Sequence, residues 1–294
     1  MVVDLAQQTK TVVDSALAKC GEISTLPEVT AKIIQLVEDP SSTARDMHEI
    51  IKTDPALSAR VLKVVNSPFY GLPGQVASVD RAIVLLGLSA VKNIAIAASI
   101  SRMFRGEKLG AEFTARDLWR HSVAVAVGGR LIAGAINYRG PIDEVFLAGL
   151  IHDLGLMVER QAFPDKLAEV VEQCTSGGAS FLELENKIVG ADHQAFGGGL
   201  TAKWKFPRNL RAVVSMHHTP ERLSMELQPF GSIVRAADIL ACDLKLGFHL
   251  TANADELSDE LLDRIDLSRD QLPQLCDELQ QGLEEAEGNL CSSA

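Results

Sequence analysis

Cysteine is sparse in these 294 residues: Cys20, Cys174, Cys242, Cys276 and Cys291 are scattered, with no C-x-x-C spacing. Neither a disulfide framework nor a thiolate zinc finger is indicated, and free thiols fit a reducing cytoplasm. A long apolar run is missing too. The nearest approach, Ile83 to Ile100, is interrupted at its centre by Lys92 and Asn93, so it reads as a buried helix pair and no membrane association is expected. The start of the chain lacks the charged-then-apolar pattern and small-residue cleavage site of an export signal, which adds to the expectation of a cytoplasmic protein. Gly197-Gly198-Gly199 lacks the Lys and Ser/Thr that end a phosphate-binding loop, so close approach of two helices is its favoured reading.

Clustered basic charge is equally absent. The net charge of -11 resides almost wholly between Asp255 and Glu287, where 12 acidic residues face only Arg264 and Arg269. A chain of this kind has no electrostatic footprint for nucleic acid. Within the same stretch Leu257, Leu261, Leu262, Ile265, Leu272, Leu275, Leu279 and Leu283 recur at near-helical intervals. The tail is therefore expected to form amphipathic helices that dock on the body or on a partner, with docking on the body favoured.

The chain does contain helix signals throughout, with almost no strand signals. A hydrophobic content of 47% and charged content of 23% are those of a globular protein with a sizeable core. Asp54 as N-cap and Pro55 at the first helical position start a helix that Asn66-Ser67-Pro68 ends, though that turn also reads as a ligand-contacting loop. Thr43 can cap the segment before it, and Ser89 can cap Val91 to Ile100. Further helices are expected at Ala115 to Ala135, Pro141 to Glu159, Asp165 to Cys174, Phe181 to Val189, Asp192 to Trp204, Pro207 to His217 and Phe230 to Leu246. The predicted fold class is all-α. Its parts are an N-terminal helical extension (1–19), an N-terminal helical subdomain (20–106), a connector near 105–110, a helical subdomain (111–250) and the acidic tail (251–294).

Chemistry concentrates in the subdomain of residues 111–250. Leu150-Ile151-His152-Asp153-Leu154-Gly155 sets two metal-binding side chains side by side in an apolar stretch. His121, His193, the doublet His217-His218 and Asp238 lie at intervals that suit one residue or pair per successive helix. Imidazole and carboxylate suit Fe, Mn, Zn or Mg. Asp117 lies four residues before His121, on the same helical face, and is the least secure member of the set. Adjacent residues on a regular helix point about 100° apart, so His152 and Asp153 need other helices to close the site, as in a bundle interior. The structural alternative is a polar cluster whose members hydrogen-bond one another. His48 and His249 fall outside the pattern and read as surface or structural residues.

In order and approximate spacing, His121, His152-Asp153 and Asp238 resemble the H…HD…D pattern of the HD superfamily of metal-dependent phosphohydrolases. Asp54-Pro55-Ala56-Leu57-Ser58, Val65-Asn66-Ser67-Pro68-Phe69-Tyr70 and Ala82-Ile83-Val84-Leu85-Leu86-Gly87 resemble the N-terminal half of the HDOD family, a bacterial signalling-output branch of that superfamily. Trp119-Arg120-His121-Ser122, Ala191-Asp192-His193, Trp204-Lys205-Phe206-Pro207 and His217-His218 continue the likeness, over roughly residues 20 to 247. The resemblance implies an HD-like helical bundle and a regulatory module without established catalysis. In the related HD-GYP phosphodiesterases a lysine follows the HD pair and a Gly-Tyr-Pro element follows the paired histidines. Leu156 stands at the lysine position here, and His217-His218-Thr219-Pro220-Glu221-Arg222 runs on without that element.

Two functional expectations follow. The first is a signalling module that binds divalent metal, mono- or binuclear, and acts through a signalling protein partner or a phosphorylated small molecule or nucleotide. The second is a phosphohydrolase in which Asp153 bridges two ions and metal-activated water attacks phosphorus.

Overall fold

The computed structural model describes residues 2–21, 27–39, 41–67, 70–104, 108–109 and 112–290. Helices account for nearly all of its regular structure. The first half holds α1 (Val2–Lys19), α2 (Glu28–Glu38), α3 (Ala44–Ile51), α4 (Pro55–Val65), α5 (Val79–Leu86) and α6 (Leu88–Ile100). The second half holds α7 (Ala115–Ala135), α8 (Ile142–Ile151), α9 (Leu154–Ala162), α10 (Pro164–Ser176), α11 (Phe181–Ile188), α12 (His193–Lys203), α13 (Arg208–Met216), α14 (Gln228–Asp243), α15 (Asp259–Arg264) and α16 (Leu272–Leu290). Among the described residues there is no strand, only an isolated antiparallel bridge between Lys108 and Thr114. The protein is all-α, as its periodicity predicts.

Local chemistry sets the helix ends. Thr43 and Asp46 form a capping box at α3, and the Asp54 carboxylate accepts the Leu57 amide at 2.8 Å to start α4. Asn66 ends α4 and then clamps Val76. Its Nδ2 donates to the Val76 carbonyl at 2.8 Å and its Oδ1 accepts the Val76 amide at 2.6 Å, so the turn-and-stop reading explains the residue. Pro68 and Phe69 of the same motif lie outside the described residues, as do 105–107 and 110 of the expected connector. Ile83 to Ile100 is indeed a helix pair, but Gly87, not Ser89, occupies the N-cap of α6.

Around α7 the packing is close enough to need small residues. A Cβ on Gly149 of α8 would meet the Ala126 backbone at 2.7 Å, and one on Gly129 would meet Val145 at 2.9 Å. α14 and α16 cover other faces of α7, with Leu275, Leu279 and Leu283 buried. The acidic tail thus places its leucines against the body. The glycine triplet serves a similar end. Cβ atoms at Gly197 and Gly199 of α12 would meet Val214 at 2.9 Å and Val13 at 2.7 Å, so α13 and α1 both approach this helix closely.

Among the described residues no helix is long and apolar enough to cross a membrane.

Candidate metal centre

The expected single helix from Pro141 to Glu159 is in fact two. α8 stops at Ile151, His152 and Asp153 form a turn, and Asp153 adopts φ -97°, ψ 15° before α9 begins at Leu154. The break frees the pair from the 100° separation of a continuous helix. His152 Nδ1 donates to the Gly149 carbonyl at 2.8 Å, turning Nε2 inward. Asp153 occupies the N-cap of α9, where an Asp ordinarily accepts amides of its own first turn; here it makes no such bond. Both of its oxygens are buried without a hydrogen-bond partner.

Other helices bring imidazoles to those oxygens. His121 lies within α7, Asp238 within α14, His193 opens α12, and His217 and His218 follow the end of α13. The Nε2 atoms of His152, His193 and His217 stand 3.3, 3.4 and 3.4 Å from Asp153 Oδ1. His121 Nε2 is 3.7 Å from Asp153 Oδ2 and 3.2 Å from Asp238 Oδ1, while His152 Nε2 is 3.9 Å from Asp238 Oδ1. His193 Nε2 is 3.3 Å from His217 Nε2 and 2.8 Å from His218 Nε2. Two donor groups therefore share Asp153: one with His121 and His152, beside Asp238, and one with His193, His217 and His218. In each group the donor atoms lie within 4.8 Å of one another, a spread that one ion can span.

Glycine again permits the convergence. A Cβ at Gly155 would overlap the His193 carbonyl and meet the Gly197 amide nitrogen at 2.8 Å, so the backbones of α9 and α12 touch just behind Asp153 and His193.

Asp117 is not brought to the centre. Its Oδ2 accepts the Thr114 amide at 2.8 Å and the Thr114 hydroxyl at 2.7 Å, completing a capping box at the start of α7. The N3 position explains that carboxylate without a ligand role. His48 pairs with Asp80 at 2.9 Å, and His249 Nδ1 lies 2.9 Å from the Gly247 carbonyl, both away from the cluster.

Residues around the histidines were not legible as partners in sequence. Glu185 lies 2.9 Å from His193 Nδ1 and Val214 offers its carbonyl to His217 Nδ1 at 2.9 Å. Arg235, 4% exposed, donates to His218 Nδ1 at 2.6 Å and to Asp238 Oδ2 at 2.7 Å, and pairs with Glu256. Arg235 sits three residues before Asp238, one helical turn, which is a usable signal once Asp238 is suspected. Glu185 and Glu256 carry no such signal.

The electrostatics follow from burial and neighbours. Burial opposes ionisation of Asp153, but His152 and His193 outweigh it and hold its pKa well below the usual carboxylate range. Asp238 is lowered likewise, by its His121 bond and by Arg235 against the effect of burial. Burial lowers His217 to about 4. Burial, then His217 and Arg235, push His218 well down, so both are neutral donors at pH 7. His152 moves upward, because Asp153 and Asp238 outweigh burial. Glu159 and Glu185 are raised well above the ordinary value, chiefly by burial. Burial also keeps the Cys242 thiol protonated; its Sγ lies 3.6 Å from Asp238 Oδ1.

The described residues form an all-helical bundle that converges imidazoles from several helices on two buried carboxylates. The chain belongs to the HDOD domain family, whose family model matches residues 23–220. A curated relative from Treponema pallidum (strain Nichols), an uncharacterized protein, is 22% identical over 237 residues, covering 81% of this chain and 45% of that one. The chain thus spans about half the length of the curated relative it matches. In structure it is similar to an HDOD domain protein of unknown function from Geobacter sulfurreducens, with TM-score 0.79 and 22% identity over 97% of this chain and 98% of that one. It is also similar to a candidate signal transduction protein from Marinobacter aquaeolei VT8, with TM-score 0.77 and 20% identity over 98% of this chain and 66% of that one. These structures share the helical fold.

Proposed function

We propose that this chain is a regulatory HDOD module that holds divalent metal at the Asp153 centre and acts by binding a signalling protein partner or a phosphorylated small molecule or nucleotide. One observation carries the metal: the Asp153 carboxylate is fully buried, ionised and without a hydrogen bond, surrounded by imidazole nitrogens. A buried carboxylate without a hydrogen bond is costly, and polar groups left in that state are otherwise rare. A divalent cation between these donors offsets that cost. The donor set, all nitrogen and oxygen apart from a protonated thiol, suits Fe, Mn, Zn or Mg, and the sharing of Asp153 by two groups favours a binuclear centre.

When bound, such ions would supply Lewis acidity and lower the pKa of water. The chain itself supplies buried, pre-oriented imidazoles, of which burial holds His217 and His218 neutral. A phosphohydrolase is the second reading, favoured by the same bridging position of Asp153. Two features favour regulation over turnover. Leu156, fully buried, stands where the HD-GYP resemblance would place a lysine, and the guanidinium set against the cluster, Arg235, is already engaged by Asp238 and Glu256.

The test is metal analysis of protein purified without chelator, followed by a panel of phosphodiesters and nucleotides. About two equivalents of metal and no turnover are expected. Metal near zero, also after reconstitution with Fe, Mn or Zn, would remove the metal reading. Turnover that vanishes in Asp153→Ala would establish the enzyme.

A further inference from the structure

Of the residues in the cluster, His121, His152, Asp153, His193, His217 and Asp238 are fully buried, whereas His218 is partly exposed. The side of the centre nearest solvent is therefore the His218 side. A cavity of about 230 Å³ adjoins that ring. The helical bundle contributes His218 and Arg235 to its lining, and the segment after α14 contributes Glu256, Ser258, Glu260 and Arg264. One wall of the cavity is thus chain from outside the helices that carry the donors.

That segment is tied at both ends and latched between them. At its start the Phe248 amide donates to the Asp117 carbonyl of α7 at 3.0 Å. The approach is close, since a Cβ on Gly247, whose φ is +87°, would meet the His121 amide nitrogen at 2.7 Å. Beyond its end α16 lies on α7. Between these anchors Leu261, Leu262 and Ile265 are buried, and Glu256 pairs with Arg235 of α14. Arg235 in turn donates to His218 Nδ1 at 2.6 Å and to Asp238 Oδ2 at 2.7 Å, so the latch bears on both donor groups. The two oxygens of Glu256 are divided. Oε2 accepts from Arg235, while Oε1 accepts the Asn253 amide at 3.1 Å and the Asn253 side-chain amide at 2.7 Å.

We propose that residues 248–267 form a strap over the His218 side of the centre, latched by Glu256 on Arg235, and that metal enters and leaves through its transient opening. This rests on the metal reading above. A segment held by a few buried side chains and a partly exposed ion pair opens locally at a fraction of the cost of global unfolding. Opening of this kind leaves the donors in place. It therefore scales the rates of uptake and release together and leaves the affinity unchanged.

Glu256→Gln tests the gate. The amide nitrogen of Gln would face either Asn253 or the Arg235 guanidinium, donor against donor, so the latch weakens while the carbon skeleton is kept. Loss of an ion pair with a partly exposed member corresponds to about fivefold in the opening equilibrium. Cobalt-loaded Glu256→Gln mixed with excess chelator should release metal about fivefold faster than wild type, and the chelator-treated variant should take up cobalt about fivefold faster, both followed by absorption. Asp259→Asn removes a charge of the same sign from the exposed pair with Arg269 and should match wild type in both rates. Faster release with unchanged uptake would mean that Glu256 serves only to position Arg235, and overturns the strap; unchanged rates overturn it as well.

Hydrogen exchange on metal-free protein separates the strap from the metal reading. Amides of residues 254–264 should exchange about fivefold faster in Glu256→Gln, with those of α12 unchanged. Equal exchange in the two proteins overturns the strap whether or not metal binds. Wild-type protein that takes up no cobalt removes the metal reading and the gating with it, while faster exchange in the variant would still establish the latch.

Discussion

Gly155→Ala reads out the link between packing and the centre most cleanly. The added Cβ would sit 2.6 Å from the His193 carbonyl carbon and 2.8 Å from the Gly197 amide nitrogen, both backbone atoms that cannot swing aside. Relieving the carbonyl-carbon contact alone to 3.4 Å requires α9 and α12 to separate by about 0.8 Å, and the His193 carbonyl oxygen, which the Cβ would overlap, demands more. Overpacking of this kind costs roughly 1–3 kcal/mol. At about 2.1 cal/mol/K per residue the unfolding entropy of 294 residues is roughly 0.6 kcal/mol/K, so Tm should fall by about 2–5 °C. Asp153 starts α9 and His193 starts α12, so the same separation lengthens their 3.4 Å contact. Metal content should drop from two equivalents to about one, because His121, His152 and Asp238 do not lie on α12. Gly134→Ala is the control: a Cβ there meets nothing within 4 Å, so Tm should be unchanged or slightly raised. Thermal denaturation with metal analysis decides it. A Gly155→Ala protein with wild-type Tm and wild-type metal content would refute the reasoning.

Arg235→Met leaves Asp238 and Glu256 without their cation; breaking a buried pair costs about 3–5 kcal/mol, so Tm should fall by roughly 5–8 °C, and Glu256→Gln in the same chain should recover part of it. A fall under 2 °C would show the contact to be energetically idle. Leu279→Ala removes a 1% exposed side chain that packs against Gly128 of α7, and should cost about 2–5 kcal/mol in urea denaturation; a neutral result would mean the tail is not docked. In metal-free protein, His217 stays neutral down to about 4 while the unfolded chain takes up its proton near 6.5. A depressed folded pKa means stability is lost as pH falls, here across that window and by roughly 3 kcal/mol. His152, raised instead, gives its contribution in full below the ordinary value and adds no slope there. Glu159 and Glu185, raised, gain stability as pH falls over the same range, so the His217 loss is read as the difference in urea midpoint between wild type and His217→Phe; a difference that stays constant from pH 7 to pH 4 would contradict the burial of a neutral His217.

The helices were legible because capping chemistry and periodicity agreed. Thr43 and Asp54 cap the helices they are expected to start, Asp192 caps the helix expected from that position, and Ala115–Ala135 runs between the bounds that its apolar spacing indicates. The break at His152-Asp153 was not legible, since Leu150 to Leu156 continues an apolar helical pattern through it and only the tertiary position of the carboxylate accounts for the turn. Convergence of His121, His152, Asp153, His193, His217, His218 and Asp238 was foreseeable from their order. Asp117, three places into a helix and four before a histidine, satisfies two rules at once, and in the structure its carboxylate serves the cap. Glu185 and Arg235 escaped notice because hydrogen bonds to a ring nitrogen depend on helix packing rather than on spacing in the chain.

Anomalous diffraction from crystals of metal-reconstituted protein tests the central claim most directly. Two peaks flanking the Asp153 carboxylate, one on the side of His121 and His152 and one on the side of His193 and His217, are the expected result. Density that shows Asp153 hydrogen-bonded to the histidines, with no anomalous peak after reconstitution, would contradict it.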